Sequence, residues 1–249
     1  MNLIGKNGYN ISFSENVPNN CKVIIIAMHG FAGDKESSCI KALEEKIKNT
    51  KIGLIKFDWP AHGESETNGF NLTIKNCIED LNSIIKYTKD KYKNSTLVAF
   101  ATSFGGYITL LYNYYYKNTF TSIILRSPAL NMYEVMQNTI LTDSKRQELK
   151  SNSYFNHGFD RNIKVTKDFL NELKTNNLFE LYKNEELNYI TIIHGTADDV
   201  VPINDSINFS KKHNCTLYKI KGADHRYKKE GELEKVITIT ANILSKITS

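Results

Sequence analysis

Short apolar runs bounded by turn-forming residues recur along the chain: Lys22 to Met28, Ile52 to Phe57, Thr96 to Ala101, Thr121 to Leu125, Tyr189 to His194 and Thr216 to Ile220. Each has the length of a strand and is rich in Val, Ile or Leu, without strict alternation. A parallel strand covered by helices on both faces needs that continuous apolar character, so these runs are expected to be central strands. Between them, apolar positions repeat at helical spacing over Ser37 to Lys48, Leu72 to Tyr92, Gly105 to Tyr116, Asp205 to Lys212 and Leu233 to Ile247. Alternating strands and helices predict an α/β fold, a doubly wound sheet whose ligands gather at the carboxyl ends of the strands. Upstream, Asn7-Gly8 stands between Leu3-Ile4 and Ile11-Ser12-Phe13, a pair suited to the positive φ angles of a type I′ hairpin turn.

One interval breaks the rhythm. Pro128 to Asn188 holds only weakly amphipathic pieces, and a structureless loop of that length would be unusual. It is expected to form a small cap over the strand ends, with helices near Met132 to Gln137 and Lys167 to Leu173. There is no internal repeat or Pro/Gly-rich linker, so residues 1–249 read as one domain with a cap insertion at about 128–188.

Composition narrows the function classes. Hydrophobic residues make up 41% and charged residues 24%, ordinary globular usage that excludes a disordered or collagenous chain. The formal charge is +5, but its lysines are scattered, and pairs such as Lys211-Lys212 and Lys228-Lys229 do not grow into the basic block that nucleic-acid binding favours. Cys21, Cys39, Cys77 and Cys215 lie far apart without CxxC spacing, as expected of reduced thiols and not of a zinc site or disulfide framework. Residues Met1 to Lys6 lack a signal peptide's apolar stretch, and no apolar run approaches the ~20 residues that cross a bilayer. A cytoplasmic protein without membrane partner is the expectation.

The chemistry is concentrated in three loops. Leu97 to Ala101 is a buried-strand pattern; it runs through Thr102-Ser103-Phe104-Gly105 into the helical pattern that follows. Small-x-Ser-x-Gly between a strand and a helix is the pattern of a nucleophile elbow, with Ala101 in place of the usual first glycine. A serine hydroxyl is a weak nucleophile at neutral pH and needs a base in reach, oriented by a third group. Downstream, Asp198 follows the run ending at His194, and Asp224-His225 follows the run ending at Ile220. The order Ser103, Asp198, His225 is the chain order of this triad type. Asp199, one position later than Asp198, is the alternative acid, and otherwise reads as a solvated or helix-capping carboxylate.

On these motifs the chain resembles the α/β-hydrolases, over essentially its whole length outside the cap. His194-Gly195-x-x-Asp198-x-x-Val201-Pro202 and Gly222-Ala223-Asp224-His225 are similar to the family's acid and histidine loops. The resemblance implies Ser103 as nucleophile, Asp198 as acid and His225 as general base. His29-Gly30-Phe31 resembles the family's His-Gly-x loop, which implies an oxyanion hole made by the backbone N–H groups of Phe31 and Phe104. His29 is then a brace for that loop. Asp58-Trp59-Pro60-Ala61-His62-Gly63-Glu64-Ser65 is similar to the family's Asp-x-x-Gly-His-Gly-x-Ser segment, with Ala61 replacing a glycine, and is read as structural.

His62 and Glu64 lack a third ligand at a convincing spacing, so no metal is expected. Trp59, Phe70, Tyr133 and Phe159 are candidate pocket residues, with Tyr154 and Phe155 as further cap aromatics. His157 and His213 read as surface or loop residues. The cap and Ser127-Pro128-Ala129 are most similar to small bacterial carboxylesterases, including the cinnamoyl or feruloyl type. The implied partner is a small-molecule ester of a short-chain or aromatic acid, and no cofactor is implied. Acyltransferase, thioesterase, serine peptidase and a non-catalytic ligand-binding protein stay open, as does a homodimer, for which no heptad or apolar stripe is present.

Overall fold

The apolar runs assemble into one sheet. In a computed structural model, which describes residues 1–158 and 163–248, ten strands are formed: β1 Asn2–Ile4, β2 Asn10–Asn16, β3 Val23–Met28, β4 Ile52–Phe57, β5 Thr96–Thr102, β6 Ser122–Arg126, β7 Tyr154–His157, β8 Ile163–Thr166, β9 Ile190–Gly195 and β10 Thr216–Ile220. The main sheet has eight strands in the order β1-β2-β4-β3-β5-β6-β9-β10, and β7 pairs with β8 separately. Pairing is parallel from β4 to β10 and antiparallel at β1–β2 and β2–β4.

Alternate side chains of β3 show why the pattern is continuous. Ile24, Ile26 and Met28 pack into one core cluster, with the helices α2 (Ile74–Lys91) and α3 (Phe104–Tyr115). Val23, Ile25 and Ala27 pack into the other, with α1 (Ser38–Ile47) and α9 (Glu232–Thr248). Both faces are covered, as the burial of apolar area requires.

Two expectations are corrected. Thr216–Ile220 is the edge strand and not a central one: Tyr218 is 41% exposed and only Ile220 of the strand is buried. The N-terminal hairpin forms, but its turn is wider than a two-residue type I′ turn. Ile4 pairs with Asn10, the Gly5 N–H donates to the Tyr9 carbonyl at 2.9 Å, and Gly8 takes φ +80° while Asn7 does not enter the positive region.

The interval between β6 and β9 is structured. It contains α4 (Met132–Val135), a π-helical turn over Met136–Ile140, α5 (Asp143–Asn152), the β7–β8 hairpin, α6 (Lys167–Thr175) and α7 (Leu178–Leu181). Phe169, Leu170 and Leu173 of α6 are buried and anchor it, whereas α5 buries no side chain. The segment reaches the carboxyl ends of the strands: Tyr107 donates to the Asn176 carbonyl at 3.0 Å, and the Ile74 N–H donates to Glu172 at 2.8 Å.

Candidate active site

The turn after β5 is tight because three elements converge on it. Ser103 has φ 49° and ψ −114°, backbone that a non-glycine residue adopts only when its surroundings impose it. Gly105 is required there: a Cβ would lie 2.6 Å from the His29 carbonyl oxygen and 2.9 Å from that of Met28. Ala101 needs no such freedom, since it is an ordinary strand residue outside the positive-φ set. The Ser103 N–H donates to the Arg126 carbonyl at 3.0 Å, and the Ala129 N–H donates to the Ser103 carbonyl at 3.1 Å.

The acid loop follows β9 and leads to α8 (Ile203–His213). The Asp198 side chain is fully buried and held on every side. Its Oδ1 accepts the N–H groups of Val200 at 3.0 Å and Val201 at 2.8 Å. His225 Nδ1 lies 3.0 Å from Oδ1 and 2.8 Å from Oδ2. His194 Nε2 lies 3.2 Å from Oδ2 and 3.1 Å from the Val201 carbonyl. Both neighbours of that nitrogen are acceptors, so it carries a proton, while Ser206 Oγ, 2.8 Å from Nδ1, donates there in the neutral tautomer. Burial alone would raise the Asp198 carboxyl, but the hydrogen bonds from His194 and His225 outweigh it and hold the group well below the usual carboxylate range. Asp198 is therefore a fixed anion beside an imidazole. Asp199 is exposed and makes no comparable contact among the described residues.

Phe31 and Phe104 meet edge to face at 5.6 Å. Phe104 is the first residue of α3, so its N–H has no intrahelical acceptor. Among the described residues neither its N–H nor that of Phe31 donates to a protein group. His29 braces this loop: its Nδ1 donates to the Gly30 carbonyl at 2.8 Å, and its Nε2 accepts the Trp59 N–H at 3.1 Å.

Among the described residues, the expected pocket residues Trp59, Phe70 and Tyr133 are not brought together. Trp59 is corrected: it is fully buried, its indole N–H donates to the His29 carbonyl at 2.9 Å, and its ring packs on Phe57 at 4.7 Å, so it has no surface to offer a ligand. Phe70 is 46% exposed at the cap boundary, edge-on to Tyr154 at 5.0 Å with Lys164 Nζ 5.1 Å above its ring. Tyr133 is half-buried against the core from α4, and Phe159 lies outside the described residues. A surface depression of about 230 Å³ lies at the opposite end of the sheet, between Ile47, Ile52 and Leu244, away from Ser103.

His213 is corrected too: it is buried, with Nδ1 2.9 Å from the Glu185 carbonyl oxygen. His157, read as a loop residue, stands in β7 and stacks on Phe31 at 5.3 Å and 25°. Lys145 donates to its Nδ1 at 2.8 Å. Burial, and then Lys145, push the His157 ring down to about 4, so it is neutral at neutral pH. This pair escapes a reading of the sequence because no motif joins a helix to a hairpin strand.

His62 and Glu64 do not converge on a metal position. His62 Nδ1 faces the Pro60 carbonyl at 2.8 Å, and Glu64 pairs with the buried Lys35 at 2.5 Å. Lys35 also pairs with Asp58 at 2.8 Å, which fastens the Asp58–Ser65 segment. No cluster of three metal-ligating side chains exists among the described residues, and no helix among them is long and apolar enough to cross a membrane.

Comparison with known proteins agrees with the α/β-hydrolase fold. A family model described as serine aminopeptidase, S33, matches residues 19–167, a stretch that includes Ser103 and stops before Asp198 and His225. Est1E from Butyrivibrio proteoclasticus, solved with ferulic acid bound, is 22% identical with a TM-score of 0.81 over 98% of this chain and 99% of that one. Mouse alpha/beta hydrolase domain-containing protein 10 is 18% identical with a TM-score of 0.77, covering 99% of this chain and 98% of its own. An α/β serine hydrolase without lid from Xanthomonas campestris is 14% identical with a TM-score of 0.67, covering 99% and 93%. No curated protein matches.

Proposed function

The chain belongs to the serine aminopeptidase S33 family of α/β hydrolases, and from that premise we propose that it cleaves carboxylic esters of short-chain or aromatic acids through Ser103, His225 and Asp198. The observation that carries the reading is the fixed Asp198–His225 pair, 2.8 Å apart, together with a serine held in strained backbone at the turn after β5. Ser103 Oγ attacks the ester carbonyl carbon and passes its proton to His225 Nε2, while His225 keeps its Nδ1 proton and donates it in a hydrogen bond to Asp198. The N–H groups of Phe31 and Phe104 receive the oxyanion, where one such donor is typically worth ~10²–10³ in turnover. Collapse breaks the C–O bond; His225 returns the proton to the leaving alkoxide and an acyl-enzyme remains. A water molecule, deprotonated by His225, then attacks the acyl carbon; the bond to Ser103 Oγ breaks, His225 returns the proton to that oxygen, and the acid is released. These steps call on no group beyond the chain's own residues and water.

Amide cleavage is the second reading, favoured by the description of the family model. It uses the same groups and differs in the leaving amine. Est1E, solved with ferulic acid, supports the ester reading, as do the aromatic side chains Phe31, Phe70 and Tyr154 along the cap boundary. The test is turnover of 4-nitrophenyl esters of increasing acyl length, methyl ferulate and aminoacyl 4-nitroanilides by wild type and Ser103→Ala. Ester turnover by wild type alone is expected. Anilide turnover without ester turnover would replace the ester reading, and equal activity in both proteins would remove Ser103 from the chemistry.

A further inference from the structure

Arg126 ends β6 and touches both loops on which the proposed chemistry depends. Its carbonyl accepts the Ser103 N–H at 3.0 Å, and its guanidinium Nη2 donates to the His225 carbonyl. Strand β9 lies between β6 and β10, so the base loop is two strand spacings, about 9.5 Å, from β6. An arginine crosses that interval and presents a planar fork of donors at its far end; a lysine presents only a point charge.

The other side of the guanidinium is covered by Tyr227, whose ring centroid lies 4.6 Å away. Tyr227 stands two residues after His225 with φ 55°, a region that a bulky residue enters only under constraint. Its hydroxyl lies 3.1 Å from Ser127 Oγ and 3.4 Å from the Ile193 carbonyl. The turn bearing the base is thus pinned from β6 and β9 at once.

The guanidinium is an expensive way to fill this space. Arg126 is only 9% exposed, no carboxylate among the described residues pairs with it, and its Nε has no hydrogen-bond partner. Apolar groups of similar volume commonly replace such a buried charge without loss of stability. What an apolar group lacks is the tie to the His225 carbonyl. We infer that Arg126 is a positioning residue that sets the placement of His225 relative to Ser103, one end of the residue holding each loop. The inference rests on the serine-hydrolase reading above and adds a determinant outside the three reacting side chains.

The test compares wild type, Arg126→Met and Arg126→Lys, each shown to be folded by its melting transition. Two readouts are taken: the rate of fluorophosphonate labelling alongside kcat and KM on a 4-nitrophenyl ester, and the NMR resonance of the His225 Nδ1 proton. Misplacement by about an ångström can cost ~10² in rate. Arg126→Met is therefore expected to lower labelling and kcat ~10- to 100-fold with KM within twofold, and to displace or broaden the Nδ1 resonance; Arg126→Lys recovers part of each. Wild-type rates and an unmoved resonance in Arg126→Met would overturn the inference. If wild type itself is neither labelled nor active, the hydrolase reading fails, and the resonance still decides whether Arg126 places His225. Should Arg126→Met not fold, Arg126→Gln, a shorter neutral donor, carries the same comparison and is expected to fall between Met and wild type.

Discussion

Ser103 occupies backbone that glycine would hold without steric cost, at φ 49° and ψ −114°. Such positions store on the order of 1–3 kcal/mol in a non-glycine residue, partly offset by the ~0.5–1 kcal/mol of extra chain entropy that a glycine loses on folding. Ser103→Gly is therefore expected to be more stable than Ser103→Ala by about 1 kcal/mol, with both inactive. Urea midpoints of the two variants check this; a glycine variant no more stable than the alanine one would mean that the turn carries no strain. Legibility at this scale divides by distance along the chain. Ser103, Asp198 and His225 were readable as candidates because each sits in a short motif with its own turn chemistry. Arg126 was not, because its role arises only when β6 meets a loop far downstream in the sequence. His194 belongs to the motif of the loop after β9, but the proton its Nε2 carries toward Asp198 follows from two acceptors that only folding brings to one nitrogen.

At the scale of elements, polar contacts fasten the N-terminal hairpin to α2: Tyr87 donates to Glu15 of β2, and Tyr9 in the turn reaches Asp80. The Tyr9 hydroxyl lies 3.0 Å from both oxygens of Asp80. Burial pushes the Asp80 carboxyl up to about 7, with Glu79 adding to it and the Tyr9 hydrogen bond opposing. A carboxyl raised in the folded state binds its proton longer than the unfolded chain does, so this site loses stability as pH rises from about 4 to about 7. Asp80→Asn keeps an acceptor for Tyr9 and removes that loss. Its stability should match wild type near pH 4 and exceed it above pH 7, by at most about 4 kcal/mol for a shift of this size. A pH-independent difference in urea midpoint would rule this out. The elements themselves were legible where burial is two-sided, as in β3, whose neighbouring side chains enter opposite cores. Edge position was hidden, because the run Thr216 to Ile220 is β-branched and aromatic whether or not a neighbour covers it. α5 escaped because it buries nothing and so leaves no periodic apolar stripe.

For the molecule as a whole, the loop bearing Phe31 is shared between body and cap. From the body, Phe104 and His62 meet the Phe31 ring at 5.6 and 5.5 Å. From the cap, His157 and Phe169 stack on it at 5.3 and 6.4 Å. The cap also reaches the acid loop, where the Thr139 hydroxyl donates to the Val200 carbonyl at 3.3 Å. Removing one cap contact leaves Phe31 held by its body neighbours, so the N–H donor should survive and what is lost is a wall. An aromatic acyl group large enough to reach the cap would feel that loss; an acetyl group would not. Since an aromatic contact is worth about 1 kcal/mol, close to a fivefold change in binding, His157→Ala is expected to raise KM for methyl ferulate about fivefold. It should leave 4-nitrophenyl acetate within twofold of wild type. Steady-state kinetics on the two esters decides the matter. An equal loss of kcat on both would mean that His157 holds the Phe31 N–H in place and that the cap serves the chemistry itself, whatever the acyl group.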